Sequence, residues 1–389
     1  MINPTRLLTE LNGKRHKLLF LITEDWYFLS HRLPVARAAR DRGLDVVIAT
    51  RVNTNAERIL GEGFRLVPLG LSRMSRNPLK ECSSILELVR IFRRERPDIV
   101  HNVGMKPVLY GTIAARSVKV PYIVNALAGL GYVFTSRGES ASVLRNIMST
   151  ALRLLLNHKN GRLIIQNRDD IQLLVGSNIA KKENIVLIEG SGVDLNEFSQ
   201  VPEPDGEPLV VLVSRMLRDK GIQEFVDAAV MLSREGTKAR FALIGKPDPD
   251  NPSSIPTATL ESWHSQGVVE WWGYREDVPS ILQKSHVVCL PSYREGLPKV
   301  LIEAASCGRP IVTTDTPGCR EIVKDGYNGF LVPARDAEAL AKALGRLIRD
   351  PLTRKEMGRR GRDIAAEKYS VEKVIGETMK LYEDLLLNG

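Results

Sequence analysis

Short apolar runs rich in Val, Ile, Leu and Phe recur along this chain, separated by stretches whose apolar positions return every third or fourth residue. The first pattern is that of a strand buried on both faces, and the second that of a helix packed along one side. Strands are predicted at 17–22, 45–50, 64–69, 98–101, 122–125, 163–166 and 185–188, and a second set at 209–213, 239–244, 268–272, 286–290, 310–313 and 330–332. Strands alternating with helices throughout predict an α/β fold built on doubly wound parallel sheets. Between the two sets lies a polar, proline-rich segment, 198–208, which reads as a linker. Domains at 1–197 and 209–370 follow, with a closing helix over 371–389.

Two predicted helices carry more than a core-facing stripe. Over 79–96, Ile85, Leu88, Val89 and Phe92 share a face, and the stretch ends in Arg93-Arg94-Glu95-Arg96. Over 143–156, Leu144, Ile147, Met148, Leu152 and Leu155 recur at helical spacing, with Arg137, Arg145, Arg153 and Lys159 around them. Such stripes pack against a sheet or lie in a membrane interface.

Composition is globular, with 43% apolar and 26% charged residues, and 389 residues suit two domains. The net charge of +9 is unevenly placed. Residues 1–200 hold 29 Lys and Arg against 18 Asp and Glu, whereas the remainder holds 26 against 28. The basic half points to an anionic partner such as a phospholipid surface or a lipid-diphosphate. No basic-aromatic interleaving or recognised motif supports nucleic acid. Cys82, Cys289, Cys307 and Cys319 show no CxxC spacing, and Cys289 and Cys307 fall in apolar runs as small hydrophobes. No apolar run reaches 18 residues and the first residues lack a signal-peptide core, so a cytoplasmic protein, at most peripheral on a membrane, is expected.

The chemistry concentrates in the second half. In Arg294-Glu295-Gly296-Leu297-Pro298-Lys299-Val300-Leu301-Ile302-Glu303, glycine and proline keep the start out of helix, and the apolar run after Pro298 begins one that stops at Gly308-Arg309-Pro310. Glu295 then stands before a helix N-terminus and Glu303 a turn or two inside it. Backbone N–H groups from about Gly296 to Leu301 lie between them and suit phosphate. A ligand with a diphosphate in its middle and hydroxyls at both ends, a nucleotide-sugar, fits that order. A capped helix with two solvated glutamates has the same local pattern. The run 209–213 shifts the balance towards the nucleotide-sugar. It is followed by Ser214-Arg215-Met216-Leu217-Arg218-Asp219-Lys220-Gly221, at the strand end where doubly wound sheets bind ligands. Arg215 brings a planar fork and Lys220 a point charge, both suited to phosphate oxygens.

The Ser-Arg-x4-Lys-Gly and Glu-x7-Glu segments together resemble the retaining glycosyltransferases of family 4, which have the GT-B fold, and the resemblance covers essentially the whole chain. It implies two Rossmann-like domains facing across a cleft, with the last helix crossing back to the first domain. Val124-Asn125-Ala126-Leu127-Ala128-Gly129-Leu130-Gly131 and Leu290-Pro291-Ser292-Tyr293-Arg294-Glu295 resemble a narrower bacterial group. Its members build surface glycans from UDP-N-acetylhexosamine-type donors on polyprenyl-diphosphate-linked acceptors. The resemblance further implies that Arg215 and Lys220 neutralise the diphosphate leaving group and that Glu303 accepts from ribose hydroxyls. Glu295 would contact the donor sugar. Gly296, Leu297, Pro298, Lys299, Val300 and Leu301 would line the sugar and phosphates. Tyr274 and Arg275, after Trp271-Trp272-Gly273, are candidates for the base pocket, although two core tryptophans closing a strand read equally well.

Many members carry a histidine after the strand at 122–125, where this chain reads Asn125-Ala126. His31, or with less support His101, is the substitute candidate; Arg32, Lys106, Gly129 and Gly131 are candidate contacts for the acceptor diphosphate. Asp248-Pro249-Asp250 has metal-pair spacing but sits in turn sequence, and in this family cationic side chains take over a metal's electrostatic role, so neither a metal nor another cofactor is expected. Gly129-Leu130-Gly131 lacks the third glycine of a dinucleotide fingerprint. Rival readings are a same-fold enzyme on a soluble acceptor, a UDP-sugar epimerase and, remotely, a nucleic-acid-binding protein.

Overall fold

The computed structural model describes residues 15–71, 77–129 and 139–388. Two compact units emerge, Met1–Ser191 with Glu372–Gly389, and Gly192–Val371. The first contains, in chain order, β1 (Lys17–Glu24), α1 (Asp25–His31), α2 (Leu33–Asp41), β2 (Asp45–Arg51), α3 (Ala56–Gly61), β3 (Arg65–Pro68), α4 (Pro78–Glu95) and β4 (Ile99–Val103). A π-helical turn (Pro107–Gly111) then runs into α5 (Thr112–Ser117), followed by β5 (Tyr122–Leu127), α6 (Glu139–Leu156), β6 (Gly161–Ile165), α7 (Arg168–Gly176) and β7 (Ile185–Leu187).

Its seven parallel strands lie in the order β3-β2-β1-β4-β5-β6-β7. Alternation along β1 shows why the run is apolar throughout. Leu18, Phe20 and Ile22 face one core with α1 and α2, whereas Leu19 and Leu21 face another with α4 and α5. Each such fully buried side chain contributes about 2 kcal/mol relative to exposure.

The second unit contains β8 (Leu209–Val213), α8 (Ile222–Arg234), β9 (Arg240–Ile244), α9 (Thr257–Ser265), β10 (Glu270–Gly273), α10 (Val278–Lys284) and β11 (Val287–Leu290). There follow α11 (Lys299–Ser306), β12 (Ile311–Thr314), α12 (Cys319–Ile322), β13 (Gly329–Val332), α13 (Ala337–Arg349) and α14 (Pro351–Lys368). Its strands are parallel in the order β10-β9-β8-β11-β12-β13. Cys289, Cys307 and Cys319 are buried here, and burial pushes the Cys307 thiol up to about 12. The last helix, α15 (Val371–Asn388), sends Val374, Met379, Leu381, Tyr382 and Leu385 into the core of the first unit, beside Phe20 and Phe28.

All thirteen predicted strands are present, with ends shifted by at most two residues. The segment read as a linker behaves differently. The chain leaves the first unit at Ser191, and 198–208 is strapped onto the second unit. Arg309 donates to Val201 O and Pro202 O at 3.2 and 3.3 Å. Ser306 Oγ donates to Phe198 O, and Arg354 forms a buried pair with Glu203. Prolines without N–H groups leave carbonyls in need of donors, and buried arginines supply them.

In each sheet the strand order reverses, between β1 and β4 and between β8 and β11. Carboxyl ends at such reversals are where open α/β sheets bind ligands.

Candidate active site

The turn after β8 carries Lys220 on a single 3₁₀ turn, Arg218–Lys220, closed by Gly221 at φ +73°. A Cβ on Gly221 would lie 2.1 Å from Pro291 O, so only glycine lets this turn rest against the loop leaving β11. That loop is tied from below. Tyr293 N–H and Ser292 Oγ donate to Asp219 O at 2.9 and 3.1 Å, and Thr314 Oγ1 donates to Ser292 O. Gly318, at φ +80°, leaves room for Gly296 O, which a Cβ would meet at 2.3 Å.

The two loops bring Lys220 and Glu295 together as an ion pair, with side chains only 20% and 12% exposed. Two further pairs belong to the same group of candidates. Lys299 Nζ lies 2.9 Å from Glu303 Oε1, one helical turn along α11. Arg215 Nη1 donates to Asp248 Oδ2 at 2.6 Å, joining the ends of the adjacent strands β8 and β9. Three cations thus face three carboxylates at the carboxyl edge of this sheet.

Pro298, with extended backbone, caps α11 as expected, and Glu303 is its fifth residue. The set of open amides is narrower than the sequence suggests. Leu301 N–H donates to Pro298 O at 3.0 Å, which leaves Lys299 and Val300 as the helix amides without an intrahelical acceptor. Behind the site, Tyr293 Oη donates to Glu224 Oε1 at 2.6 Å under the Arg335 guanidinium. Burial and that glutamate hold the phenol well above its usual range.

The base-pocket candidates each have a charged neighbour. Tyr274 is exposed beneath the Lys246 ammonium, and Arg275 forks onto Asp277 at 2.8 and 2.7 Å. Trp271 and Trp272 pack against opposite cores of the sheet, which is the packing reading of that pair.

The first-unit candidates are dispersed. His31 stacks on Tyr27 at 4.1 Å, with Nδ1 2.6 Å from Ser30 Oγ. Arg32 is 3% exposed and its Nε has no hydrogen-bond partner. Lys106 is paired with Glu81 at 2.8 Å. Gly129 has φ +150° just after β5; Gly131 lies outside the described residues, as do Leu130 and Arg137. His101 cannot serve as a base on a ligand. It is fully buried within β4, bonded through Nδ1 to Tyr382 Oη at 2.5 Å, and its pKa is driven far down by burial and by Arg32. Asn125 is likewise inside, accepting from Asn102 Nδ2 and Thr112 Oγ1 at 2.9 and 3.0 Å.

Sequence reasoning missed Asp248 as the partner of Arg215. Its only local signal was the carboxylate spacing set aside as a metal pair.

A family model described as Glycosyl transferases group 1 matches residues 194–364, and one described as Glycosyl transferase 4-like matches residues 17–167. The N,N'-diacetylbacillosaminyl-diphospho-undecaprenol alpha-1,3-N-acetylgalactosaminyltransferase of Campylobacter jejuni is 28% identical over 383 residues, 93% of this chain and 99% of that protein. The UDP-Gal:alpha-D-GlcNAc-diphosphoundecaprenol alpha-1,3-galactosyltransferase of Escherichia coli is 25% identical over 80% of this chain and 81% of its own. In fold, the chain matches Anabaena HepE in complex with UDP and glucose, with a TM-score of 0.77 over 95% of this chain and 100% of that one at 17% identity. With a 4-like first unit and a group 1 second unit, the chain belongs to the family 4 glycosyltransferases of the GT-B fold.

Proposed function

We propose that this enzyme is a retaining transferase that moves a sugar of the N-acetylhexosamine type from a UDP-sugar to a polyprenyl-diphosphate-linked acceptor in bacterial surface-glycan assembly. The observation that carries the donor half is the meeting of Lys220 and Glu295 at the reversal of the second sheet, with Arg215 two residues beyond the carboxyl end of β8. The acceptor half rests on the two relatives named for diphosphoundecaprenol-linked sugars.

In this reading Arg215 and Lys220 take the diphosphate. Their charge acts most strongly as the bond from the anomeric carbon to the phosphate oxygen breaks, because the leaving group then gains negative charge. The acceptor hydroxyl attacks on the face the phosphate leaves, and its proton passes to the departing phosphate oxygen. Glu295 orients the donor sugar and shapes the field rather than acting as a base, as its pairing with Lys220 suggests. Glu303 accepts from the ribose, the amides of Lys299 and Val300 hold phosphate oxygen, and Tyr274 and Arg275 border the base. The two cations do what a divalent ion would do elsewhere, so activity should survive EDTA.

A peripheral position on the cytoplasmic face of the membrane completes the proposal. Leu79 and Leu86 on α4, Ile113 on α5, and Ile147 and Leu154 on α6 are exposed, on the unit that holds the excess positive charge. Among the described residues no helix is long and apolar enough to cross a membrane. The decisive experiment offers a panel of UDP-sugars and membrane-extracted lipid acceptor to purified protein and weighs the product. One added N-acetylhexosamine on the lipid supports the reading. Full activity on a water-soluble acceptor, with no need for lipid, would defeat its acceptor half.

A further inference from the structure

We propose that Asp248 is a positioning residue for Arg215, holding one edge of the guanidinium so that the remaining N–H groups are presented to the diphosphate of a nucleoside-diphosphate-sugar. The inference rests on the donor reading above and adds a residue that reading does not contain.

Two observations and one property of the guanidinium support it. The contact is short and directed, Arg215 Nη1 to Asp248 Oδ2 at 2.6 Å, and Asp248 is 18% exposed while Arg215 is 40% exposed. The carboxylate is therefore backed by protein and the arginine reaches outward. Next, the loop that carries Asp248 is built onto the loop that carries both cations. Met216 N–H donates to Lys246 O at 3.1 Å, Arg218 N–H to Ser253 O at 2.8 Å and Asp219 N–H to Ser253 Oγ at 3.2 Å. Asp248 itself is pinned through its N–H to Ser254 Oγ at 3.0 Å. A chance surface pair would not come with this stitching. Finally, a guanidinium has five donors in a rigid fork, so one carboxylate on Nη1 leaves a second edge for an anion. Fixing a long side chain beforehand also removes part of the ordering cost of binding.

The alternative geometry is competition, in which Asp248 occupies Arg215 at rest and the diphosphate must displace it. The two predict opposite signs. Calorimetric titration of UDP into the full-length enzyme, its Asp248→Ala and Arg215→Ala variants and the double variant separates them. Positioning predicts that Asp248→Ala weakens UDP about tenfold and that the double variant binds no worse than Arg215→Ala alone. It also predicts that Asp248→Glu restores part of the loss and that uridine, which has no phosphate, is unaffected. Should Asp248→Ala fold poorly, Asp248→Asn, with the same size and an acceptor oxygen, runs the same cycle. UDP binding equal to or tighter than wild type, or losses that add in full, would overturn the proposal while leaving the donor site standing. A wild-type protein with no affinity for UDP would bring down the donor reading and this inference together.

Discussion

The two sheet reversals offer a comparison. At the end of β8 and β11 in the second unit, three cations stand against three carboxylates, two of the pairs on loops tied to each other by hydrogen bonds and the third along α11. At the corresponding end of β1 and β4 in the first unit, the charged candidates share no such arrangement. Lys106 is committed to Glu81 on α4, and Arg32 is buried without a carboxylate among the described residues. The first is a site preorganised around charge, as binding of a diphosphate requires. The second is organised by its core, and its polar groups serve packing first.

Breaking the charged arrangement should cost most. Glu295→Gln keeps the shape but removes the charge opposite Lys220, and kcat should fall by about 10²–10³-fold in a UDP-sugar assay. Turnover near wild type would take Glu295 out of the chemistry. Next, Lys220→Ala should lower kcat/KM by roughly 10²-fold, because it removes charge that matters most when the leaving group forms. Unchanged kcat/KM at low salt would contradict that role. Gly221→Ala attacks the scaffold instead. Its Cβ would collide with Pro291 O, and about 2 kcal/mol of stability should be lost in urea denaturation.

The first unit carries a specific sensitivity to acid. His101 has a depressed pKa in the folded state, so the unfolded chain binds the proton first. Stability is intact above about 6.5, the unfolded value, and falls as pH drops below it towards the folded value, by up to about 1.4 kcal/mol per pH unit. His101→Asn should flatten this slope between pH 7 and 5, and an unaltered slope would assign the acid sensitivity to other groups. The smallest effect concerns the surface. Ile147→Glu with Leu154→Glu should reduce binding to anionic vesicles about tenfold without changing UDP affinity. Equal vesicle binding would move the membrane contact away from α6.

The same contrast explains what could be read from the sequence. Most strands were visible because they are short apolar runs buried on both faces, as β1, β4 and β11 are, and the Glu295-to-Glu303 spacing was visible because ten consecutive residues make the loop and the helix start. Partners distant in sequence were not visible. Arg215 and Asp248 are 33 positions apart, and Glu203 and Arg354, which turn a supposed linker into a strap, are 151 apart. His101 looked like a substitute base because nothing nearby shows that Tyr382, 281 residues on, returns on α15 to close over it.

The claim that everything else needs is that a diphosphate rests on Arg215 and Lys220. Calorimetric titration of UDP into the wild-type protein and into the variant with both residues changed to alanine tests it directly. The account predicts a dissociation constant between about 1 μM and 1 mM for wild type. In the double variant it predicts affinity at least about 100-fold weaker, a loss of roughly 2.7 kcal/mol. Wild-type protein that ignores UDP, or a double variant that binds it equally well, would contradict the account.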